Sequence, residues 1–145
     1  MVVNVEQYDD VAIVTIDNPP VNASSLAVRQ KLLSAINNTK SDDTIKAVVL
    51  VCAGRTFIAG ADVKEFDKSP VPPHLPDLLM RIEQASKPWI AAIHGSAYGG
   101  GLETAMACHH RIITTEVKLG LPEVTLGVIP GAGGTVRLPR LVPPE

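Results

Sequence analysis

The sequence predicts an α/β domain in which strand, loop and helix recur along the chain. Two observations carry that reading. Unbroken apolar runs at AVVLVC (47–52) and WIAAI (89–93) have the character of buried strands, and helix-like segments alternate with them. The 145 residues are 46% hydrophobic but only 3% aromatic, so a single core is expected, built from aliphatic side chains rather than large rings.

The elements follow in order. Residues 2–7 and 11–16 (VAIVTI) are β-rich and flank Asp9-Asp10, which predicts a hairpin. After the loop DNPPVNA, Ser24 or Ser25 caps a helix running to about Asn38, with Leu26, Leu32, Leu33 and Ile36 on one face. AVVLVC then reads as a strand covered on both sides. A proline-rich stretch, Ser69 to Pro76, precedes a helix from about Asp77 to Ser86. WIAAI delivers the chain into GSAYGGGLET, where a helix is expected from about Gly99 to Cys108. RIIT (111–114) and KLGL (118–121) read as short strands, and a last helix begins near Ala132. No sequence repeat is visible.

Charge and composition exclude several functions. A formal net charge of -2 without any Lys/Arg cluster argues against nucleic-acid or acidic-membrane surfaces, so the expected ligand is small. The start, MVVNVEQYDD, has no basic leader and no apolar run of membrane length follows, which predicts a soluble, cytoplasmic protein, or a peroxisomal one in a eukaryote. Cys52 and Cys108 form no CxxC and lie among apolar residues, which favours burial over metal or redox chemistry. No metal is expected.

Three consecutive glycines, 99–101, directly precede a carboxylate. A dinucleotide loop needs GxGxxG, but the sixth position is Thr104 counted from Gly99 and Val136 counted from Gly131. A phosphate loop needs Lys-Ser/Thr after its last glycine, and neither GGGLE nor GAGGT supplies it. What remains is the close approach of backbone N–H groups at a helix start, where orphan donors and the helix dipole favour a developing oxyanion. FIAGADVKEF (57–66) offers a second such loop, with Gly60 freeing the N–H of Ala61 to point into a pocket. Glu103 sits one turn into a helix otherwise of Leu, Ala, Met and Cys, so burial is predicted for it. Glu123, in GLPEV, follows a short strand.

Together FIAGADVKEF, HGSAYGGGLE and LGLPEVTLGVIPGAGGT, in this order, resemble the motifs of the crotonase, or enoyl-CoA hydratase/isomerase, superfamily. NPPVNASSLAVRQKL and AMACHHRI look most like the N-terminal hydratase/isomerase domain of multifunctional β-oxidation enzymes. The resemblance implies a crotonase-like α/β fold, a repeated β-β-α superhelix. It implies that the N–H groups of Ala61 and Gly100 bind the thioester carbonyl oxygen and that Glu103 and Glu123 are the acid/base pair. Ala61, Asp62, Val63 and Lys64, with Gly100, then hold the acyl-CoA, Lys64 near its adenine end. Hydration of a 2-trans-enoyl-CoA is the implied reaction, with Glu103 mainly activating water and Glu123 mainly delivering the proton. No cofactor is implied beyond the coenzyme A of the substrate, and the expected assembly is a trimer-based homo-oligomer.

Two alternatives stand beside this reading. The same site in such proteins shifts a double bond from C3 to C2, and a short member of the family can bind or assemble without turning over. Crotonase-like domains normally continue well beyond this length through helices that complete the acyl pocket and the oligomer interface. Residues 1–145 are therefore read as a truncated enoyl-CoA hydratase/isomerase domain, with apolar surface around Leu126 to Leu138 left uncovered. No dehydrogenase half is present, so no NAD site is expected. Other prominent residues have blander roles: His109 and His110 close a helix, Trp89 is core, Asp62 caps a short turn as readily as it binds ligand, GAGGT makes a tight turn and helix start near the site with direct ligand contact as the alternative, and Tyr98 is a weak candidate for the acyl pocket.

Overall fold

Asp9, at φ 53°, turns the chain between β1 (Val3–Tyr8) and β2 (Val11–Ile16), which pair antiparallel from Val3–Ile16 to Tyr8–Val11. The computed structural model of the chain describes residues 1–143. β2 then pairs parallel with β3 (Ala47–Cys52), β3 with β5 (Trp89–Ile93), and β5 with β7 (His110–Ile113). A second, parallel sheet holds β4 (Thr56–Ile58), β6 (Ser96–Tyr98) and β8 (Leu119–Gly120). Helices α1 (Leu26–Ser41), α2 (Leu75–Glu83), α3 (Gly100–Ala107) and α4 (Gly134–Leu141) follow β2, β4, β6 and β8.

The repeat invisible in the sequence is plain in this order. β3-β4-α2, β5-β6-α3 and β7-β8-α4 each send one strand to the large sheet, the next to the small sheet, and then return through a helix. Each unit stacks one strand further along both sheets, which is the β-β-α superhelix the resemblance implies. The core lies on one face of the large sheet, where Val14, Ile16, Val48, Leu50, Trp89 and Ile93 meet Leu32, Ile36, Leu78 and Ile82 of the helices.

Some elements differ from the sequence reading. AVVLVC was expected to be covered on both faces, yet Val48, Leu50 and Cys52 are buried while Ala47, Val49 and Val51 are half-buried. An apolar run alone does not say how well its outer face is covered. α1 is capped by Ser25, whose Oγ accepts from the Val28 N–H, and it runs three residues past the expected Asn38. The extension has a tertiary cause, since Lys87 Nζ donates to the carbonyls of Thr39 and Asp42 at 2.6 and 2.5 Å and so caps the helix end from a distant segment. Val28, Leu32, Ala35, Ile36 and Thr39 form its buried stripe, with Leu26 and Leu33 only half-buried. α2 begins earlier than Asp77 because Pro76 sits in its first turn, where no intrahelical N–H is needed. It also stops before Ser86, ahead of Lys87-Pro88.

The loop NPPVNA is an internal strut. Asn22 is 3% exposed at φ 52°, its Nδ2 donates to the carbonyls of Ala53 and Thr56 at 2.7 and 2.8 Å, and its Oδ1 accepts from the Asn18 N–H. The loop also holds the chain beyond β4, through Ala59 N–H to Val21 O and Ser24 N–H to Gly60 O. Asn22→Ala is expected to destabilise the protein by about 2 to 4 kcal/mol, because three polar groups lose a partner and alanine is less tolerant of positive φ. Urea unfolding measures it. A loss under about 0.5 kcal/mol would contradict the strut.

Candidate active site

Three loops leave the same end of the small sheet. Because β4, β6 and β8 run parallel, their carboxyl ends deliver Ala59–Ala61, Gly99–Gly100 and Leu121–Glu123 side by side, the usual place for a ligand in parallel α/β structure. A cavity of about 400 Å³ lies there, lined by Ala61, Val63, Phe66, Leu75, Gly99, Gly100, Glu103, Glu123, Leu126 and Ile129 among others. Ala61, Gly100, Glu103 and Glu123 thus share one wall, as the sequence reading requires. A larger cavity of about 530 Å³, between α1 and α2, holds none of the expected site residues.

Each glycine before Glu103 has its own reason. Gly99 caps α3 at φ 52°, ψ −123°, and a Cβ there would lie 2.8 Å from Glu123 Oε1. Its bareness admits the carboxylate. Gly101 packs so tightly on β4 that a Cβ would overlap the carbonyl oxygen of Ile58. Gly100, between them, is the first residue of α3, so its N–H has no intrahelical acceptor. Among the described residues, no backbone bond outside the regular elements uses the N–H of Ala61 or of Gly100.

Glu103 is 2% exposed, in a helix whose residues are all buried. Its Oε1 accepts from the N–H groups of Ala132 and Gly134, both at 2.8 Å, so the protein spends the lone pairs of that oxygen and leaves Oε2 without a partner among the described residues. Glu123 begins a 3-10 turn, Glu123–Leu126, and its Oε2 is buried with no hydrogen-bond partner among the described residues. A buried carboxylate oxygen without a partner calls for an explanation, and in a cavity wall water or ligand supplies it. The chemistry available is therefore a Glu103 carboxylate held by one oxygen and a Glu123 carboxylate with a buried, unpartnered Oε2, next to two uncommitted amide donors.

The remaining candidates divide. Val63 lines the cavity. Asp62 and Lys64 do not; Asp62 Oδ1 accepts from the Lys64 N–H at 3.0 Å as cap of the turn Val63–Glu65, and Lys64 is exposed. Tyr98 stays outside the cavity wall, with its ring beside Gly120. His109 follows α3 and its Nδ1 accepts from the Trp89 N–H, a structural role. Trp89 is buried core. Both cysteines are buried, which pushes the Cys108 thiol up to about 12 and Cys52 higher still. Among the described residues no group of His, Cys, Asp or Glu is arranged to hold a metal ion.

What the sequence reading missed is the second layer behind Glu103. GAGGT makes the tight turn and helix start near the site that the sequence predicts, and in addition the N–H groups of Ala132 and Gly134 grip the carboxylate. A Cβ at Gly134 would lie 2.9 Å from Glu103 Oε1, and one at Gly133, φ 91°, would overlap the Arg137 guanidinium. Arg137 donates to Glu83 through Nε at 3.1 Å and Nη2 at 2.9 Å, and through Nη1 to the Ala132 carbonyl at 2.7 Å. The Arg137 hydrogen bond holds the Glu83 carboxyl below its ordinary value. The tie therefore contributes stability above that ordinary value and loses it as pH falls through the lowered one.

Comparisons with known proteins bear on the fold and the family. The sequence profile of the family described as Enoyl-CoA hydratase/isomerase matches residues 6–145. A protein of Bacillus subtilis named probable enoyl-CoA hydratase is 48% identical over 145 residues, covering 95% of this chain and 55% of its own length. The peroxisomal bifunctional enzyme of Danio rerio is 49% identical over 132 residues, 91% of this chain and 18% of its own length. A crystal structure of enoyl-CoA hydratase from Bacillus anthracis superposes with a TM-score of 0.91 at 35% identity, covering 98% of this chain and 58% of that one. The chain thus spans just over half the length of the two Bacillus relatives and about a fifth of the bifunctional enzyme. With the fold, the motifs and the profile in agreement, the chain belongs to the enoyl-CoA hydratase/isomerase family, the crotonase superfamily.

Proposed function

We propose that the protein hydrates 2-trans-enoyl-CoA thioesters by syn addition of water. One observation carries the proposal: the partnerless Oε2 of Glu123 and the free Oε2 of Glu103 belong to residues of one cavity wall that also contains Ala61 and Gly100. In this reading the thioester oxygen accepts from the N–H groups of Ala61 and Gly100, which stabilise charge that appears only as the enolate forms. Glu103 Oε2 removes a proton from water as its oxygen bonds to C3. Protonated Glu123 delivers a proton to C2, and the product is a 3-hydroxyacyl-CoA. The turn Asp62–Lys64 then flanks the coenzyme A portion, which is the only cofactor chemistry involved.

Support for hydration over double-bond shift comes from the two free carboxylate oxygens, since adding water needs a base and an acid at once. The names of the Bacillus relatives point the same way. Crotonyl-CoA in D2O is the test: loss of enoyl thioester absorbance, with deuterium at C2 on the face that receives the hydroxyl, is expected. Binding without turnover would overturn hydration and leave the reading of a CoA-binding or assembly fragment; turnover only of a 3-enoyl-CoA would establish the isomerase.

The same reading includes a trimer-based homo-oligomer and treats residues 1–145 as one enzyme domain. Support comes from Val124, Leu126, Ile129 and Val136, apolar residues that are all exposed. Sedimentation velocity at rising concentration is expected to show association, and a lone monomer throughout would contradict it. No helix among the described residues is long and apolar enough to cross a membrane. For compartment, the reading is cytoplasmic in a bacterium and peroxisomal in a eukaryote, the latter supported by the peroxisomal names of relatives.

A further inference from the structure

We infer that Arg137 is a positioning residue for Glu103, acting through the backbone of the Ala132–Gly134 loop. The inference rests on the proposed role of Glu103. It begins from a continuous set of bonds: Glu83 holds two nitrogens of the Arg137 guanidinium, the third holds the Ala132 carbonyl, and the amides of Ala132 and Gly134 hold Glu103 Oε1. The guanidinium is planar and its donors are fixed relative to one another, so anchoring two of them on Glu83 aims the third. Arg137 N–H also donates to the Gly133 carbonyl at 2.9 Å, which ties the loop to the first turn of α4.

Gly133 and Gly134 of GAGGT fit this role. A Cβ at 133 would push the guanidinium aside, and one at 134 would press on the Glu103 carboxylate and on Leu121, so glycine at both positions leaves the two side chains where they are. A merely tight turn would need only the positive φ at Gly133. With Oε1 fixed by two amides, the Oε2 that receives the proton from water is fixed as well. Loosening the loop lets the carboxylate rotate, which lowers turnover without weakening the grip on the substrate.

The test compares Arg137→Gln, Glu83→Gln and, as a charge control on the same helix, Arg140→Gln. In ¹H–¹⁵N spectra of the full chain, the amides of Ala132 and Gly134 are expected to move upfield and exchange with solvent at least ~10-fold faster in Arg137→Gln, less so in Glu83→Gln, and not in Arg140→Gln. For crotonyl-CoA hydration, kcat should fall about 10-fold or more in Arg137→Gln with KM within about two-fold, the scale seen for second-layer partners. In a Glu103→Gln background the same change should cost nothing more, because its route runs through Glu103. Unmoved amides in Arg137→Gln overturn the inference whatever the activity, and so does an unchanged kcat or an equal further loss in the Glu103→Gln background. If Arg137→Gln does not fold, Glu83→Gln decides by the same two readouts. A parent that turns nothing over while its variant's amides loosen sinks the hydratase reading alone.

Discussion

Glu103→Gln and Glu123→Gln are each expected to slow crotonyl-CoA hydration at least about 10²-fold, the usual scale for removing a general acid or base. At position 103 the substitution isolates the chemistry well. The amide oxygen of Gln can still accept from Ala132 and Gly134, so the side chain keeps its place while the atom facing the substrate becomes an NH2 that takes no proton. At position 123 the side chain keeps its place against Gly99 and loses the proton it would deliver. Affinity for the thioester should change much less, since the donors that hold its carbonyl are backbone groups and survive both substitutions. Two variants hydrating at the parent rate would mean that neither glutamate does the chemistry.

Gly101→Ala should be among the most damaging single-methyl changes in the chain. The added Cβ would meet the carbonyl oxygen, carbonyl carbon and Cβ of Ile58, and a backbone carbonyl locked in a strand has no rotamer to escape into. Overpacking of this kind costs about 3 kcal/mol or more, against which the helix-propensity gain of alanine is about 1 kcal/mol. Relief requires α3 to lift from β4. That motion would separate Gly100 from Ala61, so the surviving folded protein should also lose affinity for the thioester. Gly131→Ala is the comparison, with nothing within 4 Å of the added atom, and should change stability by about 0.5 kcal/mol at most. Equal urea midpoints for the two variants would refute the packing argument.

Much of this was legible before any coordinates. Apolar runs marked β3 and β5, the pair Ser24-Ser25 marked the start of α1, and the order of three glycine-bearing motifs marked both the family and the residues that share the cavity wall. The strands β4 and β6 were harder to see because three residues carry too little periodicity, and their pairing is long-range. The ends of α1 and α2 were misplaced where a distant lysine and an early proline decide them. Asn22 gave no signal as a strut, since a polar residue in a proline-rich loop reads as surface until its partners at Ala53 and Thr56 are known. The Arg137 tie was hidden for the same reason. Its partner Glu83 lies on another helix, and only the two close approaches at Gly133 and Gly134 explain why GAGGT carries more glycine than a turn needs.

In the proposed reaction two backbone amides and two glutamates converge on a single thioester. A crystal structure of the full chain with acetoacetyl-CoA, whose 1,3-dicarbonyl enolises readily, tests it most directly. The expected result is the thioester oxygen at about 2.9 Å from both the Ala61 and the Gly100 nitrogens, which then lie about 4 to 5 Å apart, with Glu103 and Glu123 on the same face of the acyl carbons. A ligand oxygen held by neither amide, or by one alone with the other pointing away, would contradict it.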